Sequence, residues 1–131
     1  MRHILLVAAL VLPATTWALS LAPPLLTGIY SNLSYNEEGG DLLGMELLII
    51  PSKKGYSAVV QFAEGGAPYT AIVPIEITGA TVDFSMPAGN PYNGLRFKGV
   101  LKGGTLVLHT DFPTGERGDE MKLKRGKSYW Q

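Results

Sequence analysis

Apolar and polar residues alternate along most of this chain, in short runs that glycine interrupts about every ten residues. The run from Leu95 to Lys102 is the clearest case: Leu95, Phe97 and Leu101 share one parity, while Arg96, Lys98 and Lys102 share the other. A period of two puts one set of side chains on each face of a β-strand. The alternation predicts strands at 27–34, 42–51, 56–63, 68–77, 81–86, 95–102, 105–112 and 119–125. No stretch repeats apolar residues at helical spacing between capping signals, so helix is not expected.

The links between these runs are mostly short, with Gly103-Gly104 as a two-residue hairpin signal. Short links make consecutive strands neighbours, which gives an up-and-down antiparallel meander. Eight such strands can hide both edges by closing, so the predicted fold class is all-β, an eight-stranded closed or nearly closed barrel.

The larger apolar residues at every second position mark the inward face. They are Met45, Leu47 and Ile49; Tyr56, Ala58, Val60 and Phe62; Ala71, Val73, Ile75 and Ile77; Val82, Phe84 and Met86; Leu95, Phe97 and Leu101; Leu106 and Leu108; Met121 and Leu123. Leu48 and Ile50 break the rule, because they add apolar groups to the face that Glu46 makes polar. That predicts either a covered strand or a patch that meets a partner.

The first residues stand apart from this pattern. Arg2 and His3 precede the apolar run 4–12, and small residues lead up to Ala18. This is the composition of a secretory signal peptide cleaved after Ala18 or after Ser20. The apolar run is too short to span a bilayer, so no membrane span is expected after cleavage. The expected organisation is a leader at 1–18, a linker at 19–26 and one barrel domain at 27–131, in a periplasmic or secreted bacterial protein.

Charge and composition narrow the chemistry further. The chain holds 11 basic and 11 acidic residues, and loss of Arg2 leaves the mature net charge at −1. Without a basic surplus, nucleic acid is not an expected partner. There is no cysteine, so neither a disulfide nor a thiolate metal site can form, and the core must hold alone. His3 falls in the leader, which leaves His109 as the one mature histidine; one histidine is too few for a zinc centre, and no cofactor is expected. His109 and Asp111 share an outward face, where a cross-strand salt contact is the favoured role over catalysis. No nucleophile elbow, P-loop or dinucleotide fingerprint is present, and a non-catalytic protein is expected.

The two ends of the domain carry a further signal. Gly28-Ile29-Tyr30 opens the first strand and Lys122-Leu123-Lys124-Arg125 closes the last. If the barrel closes, Arg125 comes to lie across the Tyr30 ring. These ends resemble those of the calycin group (lipocalins, fatty-acid-binding proteins, avidins), whose barrels open with Gly-x-Trp and close with an arginine packed over that ring. Tyr30 stands where that group has tryptophan. The resemblance implies a barrel that can hold a small apolar molecule, with Gly28, Tyr30 and Arg125 as structural closure. Biotin binding of the avidin type is not implied, since Trp130 is the one tryptophan left after processing.

Two candidate sites follow. The first is a ligand site in the barrel mouth, rimmed by the loops 36–41 and 87–94. Its contacts would be Tyr56, Phe62, Phe84 and Phe97 from the inward face and Tyr92 from the loop. The inward set is bulky, which favours a filled interior over an open pocket. The second is an outer interaction surface of Leu48, Ile50, Arg96, Lys98, His109, Lys122 and Lys124. It would meet an envelope protein or an acidic headgroup, against the plainer reading of a solvated lysine-rich face. Glu37, Glu38 and Asp41 lack the spacing of a calcium loop. Arg117-Gly118-Asp119 is expected at a hairpin tip, and the aromatic end Ser128-Tyr129-Trp130 is expected to fold onto a barrel end. The expected function is binding of a small apolar or amphiphilic ligand; the alternative is an interaction module.

Overall fold

The computed structural model describes residues 26–131. The expected leader, and the linker up to residue 25, lie outside the described residues. Nine strand segments follow in order: β1 (Gly28–Ser31), β2 (Ser34–Asn36), β3 (Asp41–Ser52), β4 (Gly55–Glu64), β5 (Tyr69–Thr78), β6 (Thr81–Ser85), β7 (Arg96–Lys102), β8 (Thr105–Asp111) and β9 (Arg117–Arg125). Each pairs antiparallel with its sequence neighbour from β3 onward, and β1 bonds both β9 and β3. The sheet is therefore a closed barrel, the architecture that the alternation and the calycin resemblance both imply.

The count of eight holds because β1 and β2 are one interrupted strand. Gly28 faces Ile49, Ser31 faces Glu46, Ser34 faces Leu43 and Asn36 faces Asp41, all in one register along β3. The break falls at Asn32-Leu33. There the Asn32 side-chain Oδ1 accepts the Met45 amide at 2.7 Å, while the Asn32 amide donates to the Met45 carbonyl at 3.0 Å. A side-chain oxygen thus stands in for the strand carbonyl, a local competition that asparagine makes readily. The backbone approaches so closely that a Cβ on Gly44 would lie 2.6 Å from the Asn32 carbonyl oxygen. Leu33, freed from the ladder, covers Leu42 and Ala63 in a small cluster of its own.

The interior is filled by the predicted parity. Tyr30, Met45, Leu47, Ile49, Ala58, Val60, Leu106, Leu108 and Leu123 are essentially fully buried, and Phe84 and Phe97 lie among them. Each aliphatic or aromatic side chain removed from water stabilises the fold by about 1.5–3 kcal/mol before the entropy of ordering is subtracted. Gly99 takes the inward position between Phe97 and Leu101. A side chain there would run into Leu108 and the Val107 carbonyl, so the small residue makes room for close interstrand packing.

The two ends of the barrel differ. Tight turns at 53–54, 79–80 and 103–104 close one end, together with buried Leu26. The other end carries the connections 37–40, 65–68, 86–95 and 112–116. The two long loops flagged in the sequence therefore share one rim.

Candidate functional site

At the turn end, Tyr30 and Arg125 face each other across the β1–β9 pairing. The Arg125 guanidinium carbon lies 5.8 Å from the Tyr30 ring centroid, and its Nη2 donates to the Thr27 carbonyl at 2.6 Å. A Cβ on Gly28 would stand 3.3 Å from Arg125 Nε, so glycine leaves the slot that the guanidinium fills. The Tyr30 hydroxyl donates to the Leu26 carbonyl at 3.0 Å. Burial pushes the Tyr30 phenol above its ordinary pKa, and the nearby Arg125 charge opposes that shift. This constellation joins the first strand to the last and ties down the segment that enters the barrel.

At the loop end, four of the five proposed ligand contacts form one aromatic chain. Phe84 stacks on Phe97 with centroids 5.1 Å apart, and Phe97 lies 6.4 Å from Phe62. Phe62 takes the edge of Tyr92 at 4.8 Å, and Tyr92 meets Tyr69 at 5.6 Å. Offset and edge-on pairs at these distances each contribute about 0.5–1.5 kcal/mol beyond burial. Tyr92 thus sits over the mouth as a plug. Its hydroxyl donates to Glu64 Oε2 at 3.3 Å, and burial followed by the Glu64 carboxylate raises its pKa.

The loop that carries Tyr92 is fixed locally. Asn90 Oδ1 accepts the Tyr92 amide at 2.7 Å, while the Asn90 amide nitrogen bonds the Pro87 carbonyl. Tyr56, the fifth candidate, stands at the opposite end, opposite Pro51 and Ile75, with 38% of its surface exposed. Tyr69 belongs to the mouth and was missed, although its place at the start of a strand beside the 65–68 loop is the signal that marks it.

The outer face of β6 to β9 is a mixed-charge ladder and not a basic stripe. Arg96 forms a two-pronged bond with Asp83, at 2.7 and 2.6 Å. Lys98 pairs with Asp111 at 3.3 Å, His109 with Glu120 at 3.7 Å and Lys122 with Glu120 at 3.7 Å. Asp83 reaches Arg96, and Glu120 reaches His109, from a neighbouring strand, while Glu120 and Lys122 share β9; a reading of basic residues alone overlooks both carboxylates. Lys124 makes no ion pair among the described residues. His109 and Asp111 do not bond each other: a register shift in β8 falls between them, and His109 reaches Glu120 on β9 while Asp111 reaches Lys98 on β7 and Arg117 on β9. The Lys98 hydrogen bond, with the Lys98 and Arg117 charges, holds the Asp111 carboxyl below its ordinary range.

The tripeptide 117–119 opens β9 and does not occupy the turn tip expected for it. Arg117 lies 3.6 Å from Asp111, and Gly118 sits against Phe112. The C-terminal aromatics also depart from expectation, folding over the outer wall of β3 and β4 and not over a barrel end. Ser128 Oγ donates to Glu46 Oε1 at 2.5 Å and the Tyr129 amide to Oε2 at 2.8 Å. Trp130 Nε1 donates to Gln61 Oε1 at 2.6 Å. Glu46 is thereby only 7% exposed on a nominally outer face.

Beside this tail runs an aliphatic row. Ile29, Leu48, Val59 and Ile72 stand directly opposite one another across β1, β3, β4 and β5, with Ile50 and Pro74 in the next row. Ile72 is 72% exposed. Its apolar character on the wrong parity is the same signal that singled out Leu48 and Ile50. Among the described residues no group of three or more potential metal ligands occurs.

No protein-family model, curated protein or solved structure matches this chain.

Proposed function

We propose that this protein is an exported, non-catalytic binding protein for a small apolar or amphiphilic molecule, taken up at the loop-bearing mouth of the barrel. One observation carries the reading. At the mouth Tyr92, carried on a loop, packs on Phe62 and Tyr69, and from Phe62 a continuous aromatic path runs through Phe97 to Phe84. A swing of the 86–95 loop exchanges Tyr92 for a ligand of similar flatness and apolarity, leaving the Phe62 edge and the Tyr69 ring as its contacts. Small-molecule sites commonly combine apolar walls with a few polar groups, and Glu64 and the Tyr69 hydroxyl supply that polar rim. Because the deeper interior is filled, the expected occupant is shallow and compact, not a long chain threaded into the barrel.

Native mass spectrometry of protein isolated from its own compartment should retain a small co-purifying molecule. A melting series with small aromatic and alicyclic probes should raise Tm, and the shift should change with Tyr92→Ala. A protein that carries no molecule and whose Tm no such probe moves, in either form, would sink the reading.

The aliphatic row on the outer wall favours a second reading, an envelope interaction module. A photo-crosslinker at Leu48 should then trap one specific partner in cells, and trapping that is equally strong from a position on β8 would count against it.

A further inference from the structure

Away from the mouth, at the turn end, the β3–β4 hairpin tip leans beside the outer wall of β5 and leaves an open cleft of about 410 Å³. Its walls are Ser52, Lys53, Lys54, Tyr56, Ser57, Ile72, Val73 and Pro74. Three properties of this cleft go together. Its floor is apolar, with the exposed Ile72 side chain and Pro74 on the same face of β5. Its one charged edge is the pair of adjacent turn lysines, and neither makes an ion pair among the described residues. No acidic residue lines it. Glu76, two residues beyond Pro74, faces Asp83 across the ladder and acts on Arg96 instead.

An apolar surface next to uncompensated positive charge is complementary to a molecule with an alkyl body and an anionic head. We infer that this cleft binds a single-chain anionic amphiphile, carboxylate or phosphate in its head, as a monomer. The alkyl chain lies along Ile72 and Pro74, and the head meets the Lys53 and Lys54 ammonium groups. The volume is at the lower end of the range for small-molecule sites, of the order of 300–1,000 Å³, which suits one chain and not a lipid bilayer edge. Two lysines at a turn act as point charges on flexible stems, so they select charge and not a particular head geometry. This site is distinct from the mouth and stands whether or not the mouth binds anything.

The test titrates the full chain with dodecyl phosphate below its micellar concentration, followed by calorimetry, with dodecyl maltoside as the neutral counterpart. Saturable one-to-one binding of the phosphate, weakening as salt rises, is expected. The double reversal Lys53→Glu/Lys54→Glu should weaken it by about tenfold, since each exposed charge is worth a factor of a few. Ile72→Ser should weaken it comparably, and Tyr92→Ala should leave it unchanged. All of these sites except Tyr92 are exposed, so far-UV circular dichroism and Tm should show intact variants.

Equal affinity for the neutral amphiphile, or no effect of the lysine reversal, would overturn the inference. So would binding that Tyr92→Ala abolishes, which would assign the ligand to the mouth. Binding to phosphatidylglycerol vesicles with none to the monomer would overturn it in favour of a membrane surface. Self-association lost in Ile72→Ser would overturn it in favour of a second copy of the chain.

Discussion

Arg125 lies across the ring of Tyr30, 98 residues apart in the chain from Thr27, whose carbonyl the same guanidinium holds. The contact fastens the last strand to the first, where the sheet closes on itself. Arg125→Ala removes both the ring contact and the carbonyl bond. A loss of about 1–2 kcal/mol in chemical denaturation is expected, with Arg125→Lys recovering only part because ammonium cannot stack as a planar fork. An unchanged midpoint in Arg125→Ala would refute the closing role.

Gly99→Ala tests how tightly the ladder packs. A methyl there meets the Leu108 side chain and the Val107 carbonyl. Overpacking of this kind costs about 1–3 kcal/mol. Urea unfolding should show a lower midpoint at constant m-value, and Gly103→Ala, in a turn with open space around it, loses stability through its positive φ alone.

Glu46 organises the tail. Glu46→Ala removes the acceptor for Ser128 and for the Tyr129 amide, at an expected cost of about 1–3 kcal/mol. Trp130 is the one tryptophan among the described residues, so its fluorescence reports on the tail directly. Emission should shift to the red in Glu46→Ala and, to a lesser extent, in Gln61→Ala. A variant with unmoved emission would show that the tail is held by apolar contact alone.

Asp111 gives the ladder a pH dependence. Its folded pKa is depressed, chiefly by the Lys98 hydrogen bond. A carboxyl of this kind binds its proton less readily folded than unfolded, so its contribution is present above the unfolded value of about 3.9 and is lost as pH falls through the lower folded value. NMR titration should find the Asp111 midpoint below the ordinary carboxylate range, and Lys98→Met should move it upward. An ordinary midpoint that Lys98→Met does not shift would exclude the coupling.

Tyr92→Ala should open the mouth. It removes two edge-on aromatic contacts, at about 1–2 kcal/mol in stability. Hydrogen exchange should speed up at Leu95 and Phe97 beneath the plug, while Val107 on the far wall stays protected. Uniform acceleration would instead mark global loosening.

The strands and their inward faces were legible in the sequence because a two-residue period is a local property of the chain. Tyr30 and Arg125 were legible as a pair because closure of a meander fixes which ends meet. The sites were legible only in part. Phe62, Phe84, Phe97 and Tyr92 were recognisable as apolar residues near one rim, yet parity says nothing about whether such side chains line a space or fill it. Tyr56 shares their parity and lies at the other end, since position along a strand decides depth. The row of basic residues looked uncompensated because Asp83 meets Arg96, and Glu120 meets His109, across an interstrand register that sequence does not give, while Glu120 beside Lys122 on β9 was open to view.

The sequence by itself determined an eight-stranded, cysteine-free barrel and the parity of its core, because alternation and turn chemistry act between near neighbours. Only the tertiary structure decided that Tyr92 stops the mouth, that the tail buries Glu46 and that Lys53 and Lys54 border an apolar cleft. Those relationships depend on interstrand register and on how loops pack over a closed barrel, and both are set by the balance of contacts across the whole molecule.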